Sequence, residues 1–214
     1  MSISMNESRS DYFATELLHK LDTQPPIDAA YEAQDISREV GFDFATVEAT
    51  LERALDEVRE TREAYGEFIE TPSDETRAHF GDEISDLIFS GVNLGRHKKL
   101  TPAEFPKLTA VELDDQPVSI ESTLEEVAAA MHATAGATER AETVEGVARI
   151  FRAAGRLATA YEFDITDLTR ENVRKYLTRC AAIEELATKD GKTWQDLADN
   201  KEIIAYWKAA KALL

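Results

Sequence analysis

Two pairs of carboxylates, each spaced by three residues, constrain this chain more than any other feature. Glu57 and Glu60 form the first pair, and Glu83 and Asp86 form the second. On an α-helix a spacing of three places two side chains about 60° apart around the axis, so the two carboxylates of each pair can point toward the same position. Both pairs fall within residues 51–97, which read as two helices joined by a short turn. If the two helices pack antiparallel, the four carboxylates converge.

The surroundings of the second pair favour a buried site. A polar stripe runs along this helix, with apolar residues on both of its sides. The stripe consists of Glu83, Asp86, Ser90 and Asn93, and the flanking residues are Phe80, Ile84, Leu87, Ile88 and Leu94 on one side and Phe89 and Val92 on the other. Such a stripe is hard to solvate and therefore needs a partner. On the first helix, Asp56 and Glu63 lie farther from the apolar side and are expected to be solvated.

A divalent cation is the partner that these residue types predict. A dry cluster of four carboxylates is costly unless a cation neutralises it. Oxygen ligands without His or Cys suit a hard ion, so we predict Mg²⁺, with Mn²⁺ as the other candidate. The alternative is that the acids form ordinary solvated faces, since the chain has 42 Asp and Glu residues against 24 Lys and Arg.

Composition excludes several other classes of protein. The formal net charge of −18 disfavours a nucleic-acid surface, which needs clustered Lys and Arg. The single Cys180 excludes an intrachain disulfide and a thiolate metal cluster. No apolar run approaches ~18 residues and the start of the chain lacks a signal region, so we expect a cytoplasmic protein without a membrane span.

Several segments resemble one enzyme family. In order they are Ala33-Gln34, Val40-Gly41-Phe42-Asp43-Phe44, Asp56-Glu57-Val58-Arg59-Glu60, Gly81-Asp82-Glu83-Ile84-Ser85-Asp86-Leu87-Ile88-Phe89 and Val92-Asn93-Leu94-Gly95-Arg96-His97. They resemble the MazG-type, all-α nucleoside triphosphate pyrophosphohydrolases, which carry a helical ExxE followed by ExxD. The resemblance implies that the four acids hold Mg²⁺ beneath the phosphates of a nucleotide. It also implies that Asn93, seven residues after Asp86, belongs to the site.

The second half of the chain reads as a worn copy of the first, because residues 157–168 align with residues 94–105. This register pairs Glu83 with Gly146, Asp86 with Arg149 and Asn93 with Arg156, and it places Ala133 and Gly136 near the positions of Glu57 and Glu60. The acids are absent from the copy, so we expect no metal site there.

A basic pair near the end of the chain completes the resemblance. Lys175 and Arg179 are spaced by four and share one helix face. They resemble the Lys-Phe-x-x-Arg of the C-terminal MazG helix, although Val173 stands where that pattern has Asn, with Asn172 adjacent. The resemblance implies that this pair, together with Arg96, offsets phosphate charge. The alternative is a solvated basic patch.

We therefore expect an all-α helical bundle of MazG-like type, built from two pseudo-repeats in one compact domain. The expected parts are an N-terminal helix over 1–25, a catalytic half over 26–106, a linker over 107–121 and a degenerate half over 122–214. Individual helices are predicted over 10–21, 26–40, 122–137 and 143–163, the third opened by the capping box Ser122-Thr123-Leu124-Glu125. The chain is expected to be a monomer with an internal pseudo-dimer, or a homodimer.

The predicted function is Mg²⁺-dependent hydrolysis of a nucleoside triphosphate to the monophosphate and pyrophosphate, in the upkeep of the nucleotide pool. A carboxylate-bridged di-iron bundle is disfavoured, because such sites use Glu-x-x-His pairs that these four acids do not form. A catalytically silent nucleotide-binding or regulatory protein of the same fold is the remaining alternative.

Overall fold

The computed structural model of the protein describes residues 17–39, 46–108, 118–192, 205–206 and 208–209. Within these ranges, the segments with a helical apolar period form helices. The helices are α1 (Pro26–Glu39), α2 (Val47–Glu70), α3 (Asp74–His97), α4 (Ile120–Gly136), α5 (Arg140–Ala160) and α6 (Ile165–Lys189), with a 3-10 turn at Pro102–Glu104. Residues 17–20 are also helical, and the residues just given contain no strand. The predicted all-α fold class is confirmed. No helix in these ranges has the length and apolar character that crossing a membrane requires.

Four of the helices pack as two hairpins that lie against each other. α2 packs on α3 to form the first hairpin, and α4 packs on α5 to form the second. Between the hairpins, α3 faces α5 and α2 faces α4. The largest fully buried side chains of these helices are Phe80, Ile84, Leu87, Ile88, Leu94, Leu124, Met131, Ile150 and Leu157. Each such burial contributes about 1.5–3 kcal/mol, so this shared core holds the hairpins together.

The chain divides into two compact units, and the boundary falls within α6. One unit is Phe44–Asn172, which contains both hairpins and the start of α6. The other unit combines Met1–Asp43 with Val173–Leu214. Within this second unit Arg174 Nη2 donates a hydrogen bond to Asp22 Oδ1 at 2.9 Å. All four predicted carboxylates belong to the first unit.

Side-chain caps define the first hairpin. Thr46 Oγ1 accepts a hydrogen bond from the backbone N–H of Ala49 at the start of α2. Ser73 and Thr76 form a reciprocal capping box at the start of α3. Residues 71–73 alone separate the two helices, where the sequence predicts a turn, so α2 and α3 run antiparallel.

The predicted start of α4 is wrong, because a different serine caps the helix. The helix begins at Ile120 rather than at Ser122, and the predicted 107–121 linker is correspondingly shorter at its end. Ser119 Oγ accepts a hydrogen bond from the backbone N–H of Ser122, and this bond caps the helix. Both serines fit the sequence preference for a cap, and the pairing of backbone groups decides between them.

The predicted start of α5 is also too late. The helix begins at Arg140 rather than at Thr143 and ends at Ala160 rather than at residue 163. Glu142 Oε2 accepts a hydrogen bond from the backbone N–H of Glu139 at 3.3 Å. The residue at the N-cap of α5 is Glu139. Glutamate is an unusual N-cap, so the sequence preference for Ser, Thr, Asp or Asn does not identify this helix start.

The helices α3 and α5 end in the same kind of turn. Lys99 and Glu162, which the predicted repeat pairs with each other, have positive φ angles of 64° and 58°. The same backbone hydrogen bond closes both turns, from Leu100 to Gly95 at 2.9 Å and from Phe163 to Ala158 at 2.8 Å. Positive φ is uncommon outside glycine, so its occurrence at paired positions supports the predicted internal repeat.

Some predicted features lie outside the described residues. They are most of the helix over 10–21, the segment Gly41-Phe42-Asp43-Phe44, the middle of the 107–121 linker and most of the last part of the degenerate half.

The close packing of α4 against α5 at Gly146 gives a test of the fold. A Cβ at this position would overlap Thr134 Oγ1 and lie 3.2 Å from Thr134 Cα. Gly146→Ala is therefore expected to lower the free energy of unfolding by roughly 1–3 kcal/mol, as overpacking does. Gly66 also lies within a helix but has nothing within 4 Å of such a Cβ. The control Gly66→Ala should raise the free energy of unfolding by about 0.5–1 kcal/mol, because alanine favours the helix.

Urea denaturation of both variants and of the wild type measures these changes. A Gly146→Ala variant that is as stable as the wild type would show that the two helices do not approach as closely as described.

Candidate metal centre

A buried hydroxyl joins the two carboxylate motifs. Thr61 Oγ1 lies 2.7 Å from the carbonyl oxygen of Glu57 and 3.2 Å from the carbonyl oxygen of Glu83. Thr61 is fully buried between α2 and α3. Because both carbonyls belong to motif residues, this contact brings the start of ExxE next to the start of ExxD.

Three of the four predicted carboxylates form one group. Glu57, Glu60 and Glu83 each offer an oxygen atom, and these atoms lie within 4.8 Å of one another. Glu57 is 7% exposed, and the side chains of Glu83 and Glu60 are 14% and 33% exposed. The group is therefore closed around Glu57 and open to solvent at Glu60. Here "carboxylate group" denotes these three residues.

Asp86, the fourth predicted ligand, lies beside the carboxylate group rather than within it. Its Oδ1 accepts a hydrogen bond of 2.6 Å from Asn172 Nδ2, at the start of α6. Asn172 was not among the predicted site residues, because the motif led us to expect the amide at Val173. The sequence does contain the amide, one position earlier.

Burial and like charge act together on the carboxylate group. Burial, followed by the charge of Asp86, raises the pKa of Glu57 to about 9. The same causes in the same order raise the pKa of Glu83 to about 7. Oε2 of Glu57 and Oε2 of Glu83 are buried without a hydrogen-bond partner among the described residues. Since buried carboxylate oxygens normally have partners, both need a proton or a cation.

Three further side chains contact the carboxylate group, and one of them is Arg59, whose Nη2 lies 3.5 Å from Glu60 Oε1. Arg53 Nη2 lies 2.7 Å from Glu57 Oε1, and its Nη1 lies 3.4 Å from Glu60 Oε1. His79 Nε2 lies 3.3 Å from Glu83 Oε1. None of the three was predicted to belong to the site. For Arg53 and His79 the signal was present, because each lies four residues before a predicted ligand and so on the same helix face.

The remaining predicted site residues are placed as follows. Asn93 is half-buried on α3, and Arg96 is 6% exposed near the end of that helix. Lys175 and Arg179 are half-buried on α6, in the second compact unit. The substrate-binding roles of these four residues stay predictions.

Of the two acids predicted to be solvated, Glu63 is exposed, and the side chain of Asp56 is half-exposed. Asp56 and Glu63 lie on the outer side of α2, where both pair with Arg59, at 3.7 Å and 2.8 Å. Their separation from the carboxylate group follows from their position around the helix, as the apolar period predicted.

The residues present fit a divalent cation. The donors are carboxylate oxygens, which Mg²⁺ and Mn²⁺ prefer. The Oε2 atoms of Glu57 and Glu83 give an independent sign of a missing partner, because each is buried and unsatisfied within the described part of the chain. The carboxylate group is therefore a candidate metal centre.

No protein-family model, curated protein or solved structure matches this chain. A function can therefore be assigned to the site only from its carboxylates and from the sequence motifs.

The metal-free protein is expected to lose stability as the pH rises from about 5 to about 9. In this range the folded chain retains protons on Glu57 and Glu83, whereas the unfolded chain, with carboxyl pKa values near ~4.3, has released them. Each retained proton makes the free energy of unfolding fall by up to about 1.4 kcal/mol per pH unit. Glu83 contributes up to its pKa of about 7, and Glu57 up to about 9. Urea denaturation in EDTA across this range measures the slope.

Glu57→Gln should flatten this slope, while the exposed control Glu63→Gln should leave it unchanged. Mn²⁺ should stabilise the wild type by about 2.7 kcal/mol at a free concentration of about 100 times its Kd. A metal-free protein that becomes more stable over this pH range, with a slope that Glu57→Gln does not change, would show that Glu57 and Glu83 do not retain protons in the folded chain.

Proposed function

We propose that this chain is a Mg²⁺-dependent nucleoside triphosphate pyrophosphohydrolase that releases a nucleoside monophosphate and pyrophosphate. The observation that carries the proposal is the convergence of Glu57, Glu60 and Glu83, whose oxygens lie within 4.8 Å of one another. A buried group of like charges with unsatisfied oxygens needs a cation, and its oxygen donors suit Mg²⁺ or Mn²⁺. A hydrolase acting on phosphoanhydride bonds is a class of enzyme that uses such a site.

The roles of the site residues follow from their burial and contacts. Glu57, Glu60 and Glu83 would hold the cation, with Asp86 beside them, oriented by the hydrogen bond from Asn172. A divalent cation held there would supply charge neutralisation for phosphate oxygens and a lowered pKa for the attacking water. One of the carboxylates would accept a proton from the attacking water. The low exposure of Glu57 keeps bulk water away from the inner side of the group.

The substrate class comes from the motifs. The ExxE and ExxD pairs, with the Val-Asn-Leu-x-Arg-His segment after them, resemble MazG-type pyrophosphohydrolases. In that family a nucleoside triphosphate is the substrate, and upkeep of the nucleotide pool is the expected role. The residues proposed to bind it are Asn93, Arg96, Lys175 and Arg179. Arginine and lysine form charge-assisted hydrogen bonds with phosphate oxygens, so these residue types suit a triphosphate.

The second hairpin supports a division into a catalytic half and a degenerate half. Thr134 of α4 packs against Gly146 of α5, as Thr61 of α2 contacts the backbone of Glu83 on α3. This packing pairs Glu57 and Glu60 with Ala130 and Ala133, one helical turn from the predicted Ala133 and Gly136. An open cleft of about 640 Å³ adjoins this packing, and it is lined by Ala133, Gly136, Ala137, Ala141, Glu142, Glu145, Gly146 and Arg149. Ala130, Ala133 and Gly146 are thus small residues at three of the four carboxylate positions, and Arg149 stands at the position of Asp86.

Hydrolysis of a nucleotide panel tests the proposal. With Mg²⁺, the protein is expected to release pyrophosphate, rather than successive orthophosphates, from at least one ribo- or deoxynucleoside triphosphate. Phosphorus NMR distinguishes the two products. Glu60→Ala and Asp86→Ala should lower kcat/KM by at least about 100-fold, since changes around metal ligands already cost about 10–100-fold. Glu63→Gln removes an exposed carboxylate from the same helix and should keep wild-type activity.

Full activity in both alanine variants would show that these carboxylates do not bind a catalytic metal ion. Binding of Mn²⁺ without hydrolysis of any triphosphate would instead favour a catalytically silent nucleotide-binding or regulatory protein of this fold.

A further inference from the structure

Arg53 reaches across the solvent side of the carboxylate group. Its guanidinium contacts Glu57 Oε1 through Nη2 at 2.7 Å and Glu60 Oε1 through Nη1 at 3.4 Å. The Arg53 side chain is 43% exposed, whereas that of Glu57 is 10% exposed. The arginine therefore approaches from solvent, and charge rather than close packing holds it in place.

The guanidinium of Arg53 contacts carboxylate oxygens that a bound metal ion would use as ligands. A cation bound by Glu57 and Glu60 takes its ligands from the same two carboxylates, and two positive charges at one pair of oxygens repel each other. The Oε2 of Glu57 is meanwhile buried without a hydrogen-bond partner among the described residues, so Arg53 satisfies one oxygen of this carboxylate and leaves the other unsatisfied. Arg53 is thus an incomplete counter-cation for the site.

We propose that Arg53 is an exchangeable counter-cation: a divalent metal displaces it from Glu57 and Glu60, and the released guanidinium then binds a phosphate of the substrate. This inference rests on the proposed function, because it supplies that site with a phosphate-binding residue. The exchange needs no movement of α2, since Arg53 lies on the same helix as both carboxylates and only its side chain changes partner.

The chemistry of arginine suits both partners. The planar guanidinium presents parallel N–H groups whose spacing matches carboxylate and phosphate oxygens alike. After the metal takes the carboxylates, an anion at the open side of the site is the nearest new partner for a charge tethered there. Lysine would retain the charge without the two-pronged geometry, and glutamine would remove the charge.

Mn²⁺ binding without nucleotide tests the first half of the exchange. Arg53→Gln is expected to bind Mn²⁺ about threefold to tenfold more tightly than the wild type, because the competing charge is gone and its partial exposure limits the gain. Arg53→Lys should remain near the wild type. Arg62→Gln is the matched control: Arg62 lies on the same helix with the same 43% exposure, but pairs with Glu121 at 3.0 Å. Titration calorimetry measures the affinities.

Inorganic tripolyphosphate tests the second half. With saturating Mn²⁺, Arg53→Gln should bind tripolyphosphate about tenfold more weakly, as expected for the loss of a charge-assisted contact. Arg53→Lys should fall between Arg53→Gln and the wild type, and Arg62→Gln should match the wild type. Neither measurement depends on hydrolysis or on the base of the nucleotide.

Equal Mn²⁺ affinity in Arg53→Gln and the wild type would overturn the counter-cation role. Equal tripolyphosphate affinity would overturn the phosphate role. A wild type that binds both probes but hydrolyses no nucleotide removes the proposed enzyme activity and leaves these two comparisons decisive for Arg53.

Discussion

Repulsion among the carboxylates of α2 and α3 is the interaction on which the site depends. Two unit charges 4 Å apart interact by about 4 kcal/mol at an effective dielectric constant of ~20. Glu57 and Glu83 experience this repulsion from Asp86 in addition to the cost of burial, and their raised pKa values record both effects. The contacts from Arg53, His79 and Asn172 each offset a part of it. Two buried oxygens remain unsatisfied within the described residues, so the compensation is incomplete.

The apolar residues on both sides of the polar stripe prevent α3 from relieving this repulsion by rotation. Ile84, Leu87, Ile88 and Val92 are fully buried. Turning Glu83 toward solvent would expose side chains on one side of the stripe, at a cost of about 1.5–3 kcal/mol each. Several such side chains together outweigh one pairwise repulsion. The hydrophobic core thus fixes the position of the acids, and the acids must find a counter-charge where they are.

Sequence periodicity predicted the parts of the fold and site that depend on one helix at a time. The all-α class, the turn between α2 and α3 and the solvated Asp56 follow from spacing along a helix. The bond between Asn172 and Asp86 joins distant parts of the chain, and no local pattern fixes its register. Arg53 and His79 were open to prediction, since spacing of four from a ligand places a residue beside it. Residue type alone does not show that these two side chains pair with the acids, since both types are common on solvated helix faces.

The starts of α4 and α5 could not be predicted from cap preference alone. Ser119 and Ser122 are equally good caps by residue type, and Glu139 is a poor one. In the folded chain α4 is capped by Ser119 and α5 follows Glu139, so residue type alone does not decide between neighbouring candidates.

The two hairpins share a close helix contact but differ in the residues at the four carboxylate positions. The second hairpin keeps the close helix contact, with Thr134 against Gly146, but Ala130, Ala133, Gly146 and Arg149 stand where the first hairpin has its four acids. Within the described residues its helices hold no group of converging carboxylates like that of the first hairpin. The first hairpin gains stability when protons, Arg53 or a bound cation neutralise its acids, so cation affinity and folding are linked there. Because the two hairpins share one core, through α3 against α5 and α2 against α4, the second hairpin supports the first when no cation is bound. A second set of acids in α4 and α5 would add repulsion to that core, which gives a physical reason for confining the carboxylates to one half.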